Sequence, residues 1–318
     1  MRLHRSFGVP GYGKPPEQRS VPELLGAGVI NLDKPKGPSS HQVVAWMRQL
    51  LGVEKAGHLG TLDPGVTGVL LIGLGRGVRG LEALLSAPKE YICLMHLHAA
   101  VPNHALEDIF ALFRGKIYQT PPVRSSVRRV RRVREVYELE ILEIERRAVL
   151  FRTRCESGTY VRTLCTDIGD ALGVGANMRE LRRTASGGFT ERDAHSFQEV
   201  EDAWLSWKEE GVEEGLRKVV LPIEALFPHL QKVVVKDSAV DAICHGASLA
   251  VGGVNSADAA VARAKDVAIF TLSGEVVALG TALMDAKEMV SAEDGIAVRV
   301  LRVLMPPGRY PRMWKGRK

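Results

Sequence analysis

Cysteine is scarce in this chain and widely scattered. Its four residues, Cys93, Cys155, Cys165 and Cys244, form no CxxC pair and stand beside no histidine cluster, which argues against a metal centre or a disulfide framework and for a reducing compartment. Long apolar runs are missing too: no segment free of charged residues reaches about 18 residues, so no membrane span is expected. The opening segment is basic and proline-rich, without the apolar core of a secretory leader, which favours a cytoplasmic protein. What is present is the composition of an ordinary soluble protein, 318 residues with 45% apolar and 25% charged content, long enough for a main domain and a smaller appended one.

The net charge of +6 matters through its distribution. Arg114 to Arg134 holds eight basic residues, Arg124, Arg128, Arg129 and Arg131 among them, and no acid; Glu199 to Glu214 holds seven acids against the single Lys208. Two prolines and two serines break the basic block, so it is not one regular helix, and its density points to a nucleic-acid partner rather than a merely solvated face. The tail from Gly308 to Lys318 adds five basic residues with Tyr310 and Trp314, a mixture suited to phosphate contact and stacking or to a solvated terminus.

Periodicity sets out the elements. Val29 to Leu32 reads as a short strand, and Ser39 to Leu51 as a serine-capped helix with Val43, Val44, Trp46, Met47, Leu50 and Leu51 at helical spacing. Gly68 to Leu74 is strand-like, Leu81 to Ser86 helical, and Glu90 to Ala99 a strand with Tyr91, Cys93, Met95 and Leu97 on one face. Val136 to Ile144 alternates Tyr137, Leu139 and Ile141 against Glu138 and Glu140, Val149 to Cys155 continues the sheet, and Thr159 is expected to cap a helix reaching Leu172. After an acidic helix around Trp204 and Trp207 and a proline-bounded stretch at Leu221 to His229, short β-like runs (Val233 to Val235, Val267 to Leu272, Val276 to Leu279, Ile296 to Leu304) predict a small β module, with Asn255 to Lys265 as a loop or helical turn.

The most informative stretch is Gly57 to Gly77, a glycine-dense turn that sets Asp63, followed by Pro64, at the mouth of an apolar strand. Such a backbone bends sharply and lets a bulky ligand approach, which suits a catalytic carboxylate; a plain turn aspartate is the alternative.

Four segments together resemble the TruB-type pseudouridine synthase family: Asn31-Leu-Asp-Lys-Pro-Lys-Gly-Pro-Ser-Ser-His41, Gly57-His-Leu-Gly-Thr-Leu-Asp-Pro64, Lys89-Glu-Tyr91, and Ser157-Gly-Thr-Tyr-Val-Arg-Thr163 followed by Leu181-Arg-Arg-Thr184. Further similarity to the dyskerin group within it runs through Val43-Val-Ala-Trp46, Pro121-Pro-Val-Arg-Ser-Ser-Val127, Gly173-Val-Gly-Ala-Asn-Met178 and Asp237-Ser-Ala-Val-Asp-Ala-Ile-Cys-His-Gly-Ala247. The resemblance implies an α+β fold, with a mixed, mainly antiparallel catalytic sheet flanked by helices and a small β-barrel-like PUA domain. It divides the chain into an N-terminal extension packing on the PUA domain (1–27), the catalytic domain (28–230), the PUA domain (231–307) and a basic tail (308–318). Two departures stand out. Gly65 replaces the lysine common in dyskerin-like chains, and Gly73-Leu-Gly-Arg-Gly77 replaces a more usual acidic and alanine-containing stretch.

The resemblance also implies the chemistry. Uridine becomes pseudouridine by cleavage of N1–C1′, rotation of the base and rejoining through C5, with no cofactor, no metal and no redox change. Asp63 is the implied catalytic aspartate, either attacking the nucleotide or shifting a proton at the sugar. Arg162 is its implied partner, a guanidinium that keeps the carboxylate ionised inside a pocket. Tyr91 is the implied platform for the extruded base and a group assisting proton removal at C5, with stacking worth about 1–3 kcal/mol per base. Tyr160 and Leu181 are implied pocket walls. Lys34 orders the Asp63 loop or contacts phosphate, His58 lies near the RNA or makes a structural hydrogen bond, and His245 and Gly246 are implied RNA contacts of the PUA domain.

For partners, the resemblance implies an H/ACA guide RNA, a substrate rRNA, a small Nop-type protein, a Gar-type protein and a kink-turn-binding ribosomal-type protein. Guide pairing leaves the protein to read shape and backbone, which suits the basic block. Two other readings compete with this guide-dependent enzyme: a stand-alone synthase acting on the tRNA T-loop, and a non-catalytic RNA scaffold. The scaffold has no chemical need for Asp63, Tyr91 and Arg162. The missing lysine-rich tail favours an archaeal-type cell without a nucleolus.

Overall fold

An uninterrupted apolar run such as Val69 to Ile72 is stable as a strand only where both of its faces are covered, and the fold meets that demand. The computed structural model describes residues 1–6, 8–122 and 128–313. Its strands are β1 (Arg2–His4), β2 (Gly28–Lys34), β3 (Ala56–Leu59), β4 (Thr67–Leu74), β5 (Lys89–Leu97), β6 (Gly115–Gln119), β7 (Arg132–Glu145), β8 (Ala148–Cys155) and β9 (Ala176–Ser186). They continue with β10 (Phe189–Thr190), β11 (Leu221–Pro222), β12 (Gln231–Val235), β13 (Leu249–Ala250), β14 (Val254–Asp258), β15 (Asp266–Phe270), β16 (Val276–Ala282) and β17 (Ile296–Val303). A ten-stranded sheet runs β11-β2-β4-β9-β5-β8-β7-β6, with β3 paired to β4 and β10 to β9; its pairings are antiparallel except β4 with β9. A seven-stranded sheet runs β1-β14-β12-β15-β16-β17-β13, antiparallel except β12 with β15. The fold is thus α+β, a mainly antiparallel sheet with flanking helices joined to a smaller β unit.

Strand β4 lies at the centre of the packing. Leu70, Ile72 and Leu74 face one core, shared with Ile30, Leu32, the Ser40–Leu50 helix (Val43, Val44, Met47), the Phe197–Glu210 helix (Val200, Ala203) and the Glu214–Val219 helix (Leu216, Val219). Val69 and Leu71 face another core, shared with Ile223, Leu226 and Phe227 and, from the smaller sheet, Val234, Ala268, Phe270, Val276 and Leu304. With each fully buried aliphatic side chain contributing about 1.5–3 kcal/mol, this second core binds the two sheets into one body. A third core, between β5, β7 and β8 and the Asn103–Leu112 and Val161–Ala171 helices, holds Cys93, Met95, Phe151, Leu164, Cys165 and Ile168.

Several expectations need correction. Thr159 is not the helix cap: Tyr160 occupies that position, and its amide donates to Gln119 Oε1 at 2.9 Å. Residues 81–84 form a short 3-10 turn in place of a helix reaching Ser86. The first part of Asn255 to Lys265 belongs to β14, a strand concealed in the sequence because its polar Asn255 and Ser256 are buried. The Asn255 amide there donates to the Ser6 carbonyl at 3.0 Å, and the backbone pairs on both sides with β1 and β12. Tyr137 points outward, 41% exposed, because the β7–β8 register shifts between Val136 and Glu138. Tyr310 is no stacking group in the tail; it is 3% exposed and its hydroxyl donates to Glu275.

Charge reinforces the junction between the sheets. Arg19, on the segment leading into the Val21–Gly26 helix, donates to both oxygens of Glu224 at 2.8 and 2.7 Å and lies 3.6 Å from the buried Glu275, which also pairs with Arg309 at 3.1 Å. Nearby, Glu23 caps its own helix by accepting from the Ser20 amide and pairs with Lys14. The hydrogen bond from Lys14, then that from Ser20, hold the Glu23 carboxyl down to about 2 from its ordinary 4.5. A carboxylate depressed in the folded state contributes stability that is complete above its unfolded value and is lost as the pH falls through the folded one. Acid titration monitored by tryptophan fluorescence is therefore expected to show stability falling between pH 4.5 and 2, with Glu23→Gln flattening that segment of the curve.

Candidate active site

The turn between β3 and β4 that carries Asp63 is fastened from below on both sides. The buried Ser40 hydroxyl accepts from the Leu62 amide and donates to the Leu62 carbonyl, both at 2.9 Å. On the far side Lys34, fully buried on β2, donates to the carbonyls of Pro35 (2.8 Å), Pro64 (3.3 Å) and Val66 (2.9 Å). The Gly37 amide adds a bond to the Pro64 carbonyl at 2.8 Å, and the turn closes from the Val66 amide to the Asp63 carbonyl at 3.0 Å. Burial pushes the Lys34 ammonium down from its usual value. Its three donors are matched by three carbonyls, two of them in the turn that carries Asp63.

Asp63 forms an ion pair with Arg162, in the first turn of the Val161–Ala171 helix. Both side chains are about half exposed, 48% and 41%, so the expectation of an enclosed pocket fails for the free protein, and the guanidinium orients the carboxylate rather than compensating for burial. The helix start is set by Gln119 at the end of β6, whose side chain bonds reciprocally with the Tyr160 amide and carbonyl at 2.9 and 3.1 Å. Behind it, Leu164, Cys165 and Ile168 pack on β5, with Cys165 Sγ 3.6 Å from Cys93 Sγ.

Tyr91, on β5, lies between Thr153 of β8 and Arg183 of β9, half-buried where two cores meet. Leu181 stands opposite Cys93 on the same face, beside Tyr91. Burial pushes the Tyr91 phenol up, and the Arg183 guanidinium opposes that shift. Tyr160 lines a small hollow of about 80 Å³ with Gln119, Pro121, Arg132, Arg134 and Gly158. His58 bonds to the Thr61 hydroxyl at 3.2 Å and meets His41 edge-on at 4.8 Å. Burial first, then His41 and Arg183, push its imidazole down to about 4, so it is neutral at physiological pH.

Arg128, Arg129 and Arg131 are exposed on the segment entering β7. Arg129 donates to the Pro121 carbonyl, and Arg131 covers the Tyr118 ring at 4.6 Å. Arg124 lies outside the described residues, as do Trp314 and the rest of the tail. His245 and Gly246 are not brought to Asp63: they form the exposed turn after the Asp237–Cys244 helix of the smaller unit, with His245 Nδ1 2.8 Å from the Asp241 carbonyl oxygen. Among the described residues no group of three or more metal-ligating side chains forms. Sequence reasoning missed Ser40, Gln119 and Arg183; strand alternation would have found the last, since 181 and 183 share a face.

Comparison with known proteins decides the family. The chain matches the N-terminal domain of TruB family pseudouridylate synthases over residues 48–161, the C-terminal domain of tRNA pseudouridylate synthase B over 162–228, the PUA domain over 231–304 and the DKCLD domain over 3–44. It is 50% identical over 306 residues to the "Probable tRNA pseudouridine synthase B" of Methanothermobacter thermautotrophicus, covering 96% of this chain and 94% of that one. The chain belongs to the TruB family of pseudouridine synthases. Another TruB relative, from Methanopyrus kandleri, is 52% identical over 305 residues, covering 96% and 90% of the two chains. Among solved structures, the chain resembles one in a Cbf5-Nop10-Gar1 complex, with TM-score 0.90, 49% identity and coverage of 98% and 96%. It also resembles one in an H/ACA RNP bound to a substrate RNA containing 2′-deoxyuridine, with TM-score 0.89, 48% identity and coverage of 99% and 97%. As a TruB enzyme it is an RNA pseudouridine synthase, an isomerase.

The departure at Gly65 is structurally neutral, since a Cβ built there meets nothing within 4 Å. Gly65→Lys is expected to fold with stability within about 0.5 kcal/mol of the parent. By adding one phosphate contact it should steepen the dependence of log K for RNA on log salt by about 0.7–0.9, as read by filter binding across a salt series.

Proposed function

We propose that this chain is the catalytic subunit of an H/ACA guide ribonucleoprotein, converting guide-selected uridines of rRNA to pseudouridine through Asp63. The observation that carries the reading is the full-length likeness, across both sheets, to a chain in an H/ACA RNP bound to substrate RNA. The same likeness to a Cbf5-Nop10-Gar1 complex supports a Nop-type and a Gar-type protein as partners; the kink-turn-binding ribosomal-type protein rests on the resemblance of the sequence. Likeness to the archaeal box H/ACA Nop10-Cbf5 complex supports an archaeal-type, cytoplasmic setting. The proposed division is an N-terminal extension (1–27), a catalytic domain (28–230), a PUA domain (231–307) and a basic tail. Pairing of β1 with β14 supports placing the extension on the PUA domain.

In this reading a uridine unstacked from the RNA lies on Tyr91, with Tyr160 and Leu181 as walls. Arg162 holds the Asp63 carboxylate toward the sugar. Asp63 attacks the nucleotide or moves a proton at the sugar as N1–C1′ breaks; the freed base turns and C5 bonds to C1′. The C5 proton is then lost, the C–H electron pair restoring the C5–C6 double bond, and N1 takes up a proton, so the product is an isomer and no oxidant enters. Arg128, Arg129 and Arg131, with Arg124, supply backbone contacts that carry no sequence information, while His245 and Gly246 contact RNA in the PUA domain.

A second reading, guide-independent modification of the tRNA T-loop, is favoured by the tRNA-directed names of relatives about 50% identical. Tritium release from 5-³H-uridine separates the two. With rRNA fragments, turnover is expected only with a guide RNA and partner proteins; activity on rRNA with no guide would sink the guide-dependent reading. Asp63→Asn is expected to abolish turnover while leaving guide RNA affinity near that of the parent, and a collapse of guide binding would make Asp63 structural.

A further inference from the structure

Arg183 is 1% exposed, and it is held differently from its neighbour. Arg182 takes two carboxylates, Asp33 at 2.9 and 3.0 Å and Glu191 at 2.6 Å. Arg183 donates to carbonyls: Nε to Val69 at 2.7 Å and one terminal nitrogen to Gly60 at 3.0 Å. Gly60 is fitted to it, with φ of +68° and space such that an added Cβ would meet the guanidinium at 3.2 Å. Arg183 therefore ties β9 to β4 and to the turn that carries Asp63. Two carbonyl oxygens accept from it without cancelling its charge, and the side chain directly across the β5–β9 ladder is Tyr91. Residues facing one another in an antiparallel ladder project to the same side of the sheet.

We propose that Arg183 is a positioning residue for the last proton transfer, its buried and uncancelled charge stabilising the Tyr91 phenolate that accepts the proton from C5. The proposal rests on the reading of this protein as a pseudouridine synthase in which Tyr91 takes that proton. The step balances: the phenolate oxygen of Tyr91 takes the C5 proton, the C5–H electron pair becomes the C5–C6 double bond as the C6–N1 π pair moves to N1, N1 takes a proton from water, and the phenol returns its own proton to water. A preorganised charge beside a group that becomes negative stabilises it with no reorganisation at the moment of reaction. Near the phenol stand also a neutral thiol and a second cation held by carbonyls. Thr153 faces Tyr91 from β8, and Cys155 on the same strand is a neutral thiol pushed up to about 12 by burial. Lys89, on β5 itself, donates to the carbonyls of Leu84, Leu85 and Ala87.

The test uses the assembled guide complex and substrate RNA carrying 5-protio or 5-deuterio uridine, with Arg183→Gln and Arg183→Lys made in the parent and in Tyr91→Phe. Arg183→Gln is expected to lower kcat at least about tenfold with little change in KM, to move the rising limb of the pH–rate profile about one unit alkaline, and to raise the 5-deuterium isotope effect. Arg183→Lys keeps the charge and should keep the parent's pH profile. In Tyr91→Phe, Arg183→Gln should add less than about twofold, because the two residues act as one unit. Equal losses in both backgrounds, or an unmoved pH profile and isotope effect, would overturn the proposal. If Arg183→Gln fails to assemble, Arg183→Lys decides alone: a displaced pH limb overturns the proposal and a parental limb with a lowered melting temperature supports it. An inactive parent, or a fully active Tyr91→Phe, would refute the underlying reading; an active parent, an impaired Tyr91→Phe and an indifferent Arg183→Gln would refute the role of Arg183 alone.

Discussion

One buried ammonium holds the Asp63 loop in shape. Asp63 is half exposed and contributes little packing of its own, so its orientation must come from the backbone beneath it, and Lys34 grips that backbone at Pro64 and Val66. Hydrogen bonds from a charged donor are worth about 1.5–3 kcal/mol each, while burying the ammonium costs several kcal/mol. The two nearly cancel. Lys34 therefore adds little net stability and acts on the geometry of the loop, with Ser40 bonding the same loop from the opposite side at Leu62.

Lys34 is not isolated in this. Lys89 and Arg183 are likewise buried and likewise bonded to carbonyls. Burial, then the neighbouring Arg183, bring the Lys89 ammonium down to about 8. Cations bonded to neutral acceptors leave a positive potential beneath the site, which favours both the approach of an RNA backbone and any negative charge that arises during reaction. The exposed arginines around β7 extend that potential outward. The acidic run is kept apart from it, on the Phe197–Glu210 and Glu214–Val219 helices that cover the opposite edge of the sheet near β2.

What was legible in the sequence was whatever kept a simple period or a dense motif. The run from Gly68 to Leu74 announced a strand, Ser39 announced a helix start, and the glycine-rich turn set Asp63 at the mouth of that strand. The partnership of Asp63 with Arg162 came from resemblance, since 99 residues separate them and only the packing of a helix on β5 brings them together. Other features were illegible for identifiable reasons. Val254 to Asp258 hides a strand because its buried polar side chains break the apolar alternation. Tyr137 was misplaced because a bulge inverts faces without altering residue types. The burial of Lys34 had no sequence signal, because a lysine satisfied by carbonyls leaves no partner side chain to find.

The double-sided burial of β4 has one further consequence. Its alternate residues belong to different cores, one beneath the helices near the Asp63 loop and one shared with the smaller sheet, so neither sheet can loosen without disturbing the strand common to both. Cooperativity in this molecule runs across the boundary that the family models draw at residues 228 and 231. A defect in Val276 or Phe270, on the smaller sheet, would be felt as a loss of order in the strand that follows the Asp63 loop, and variants that disturb that loop need not cluster around it.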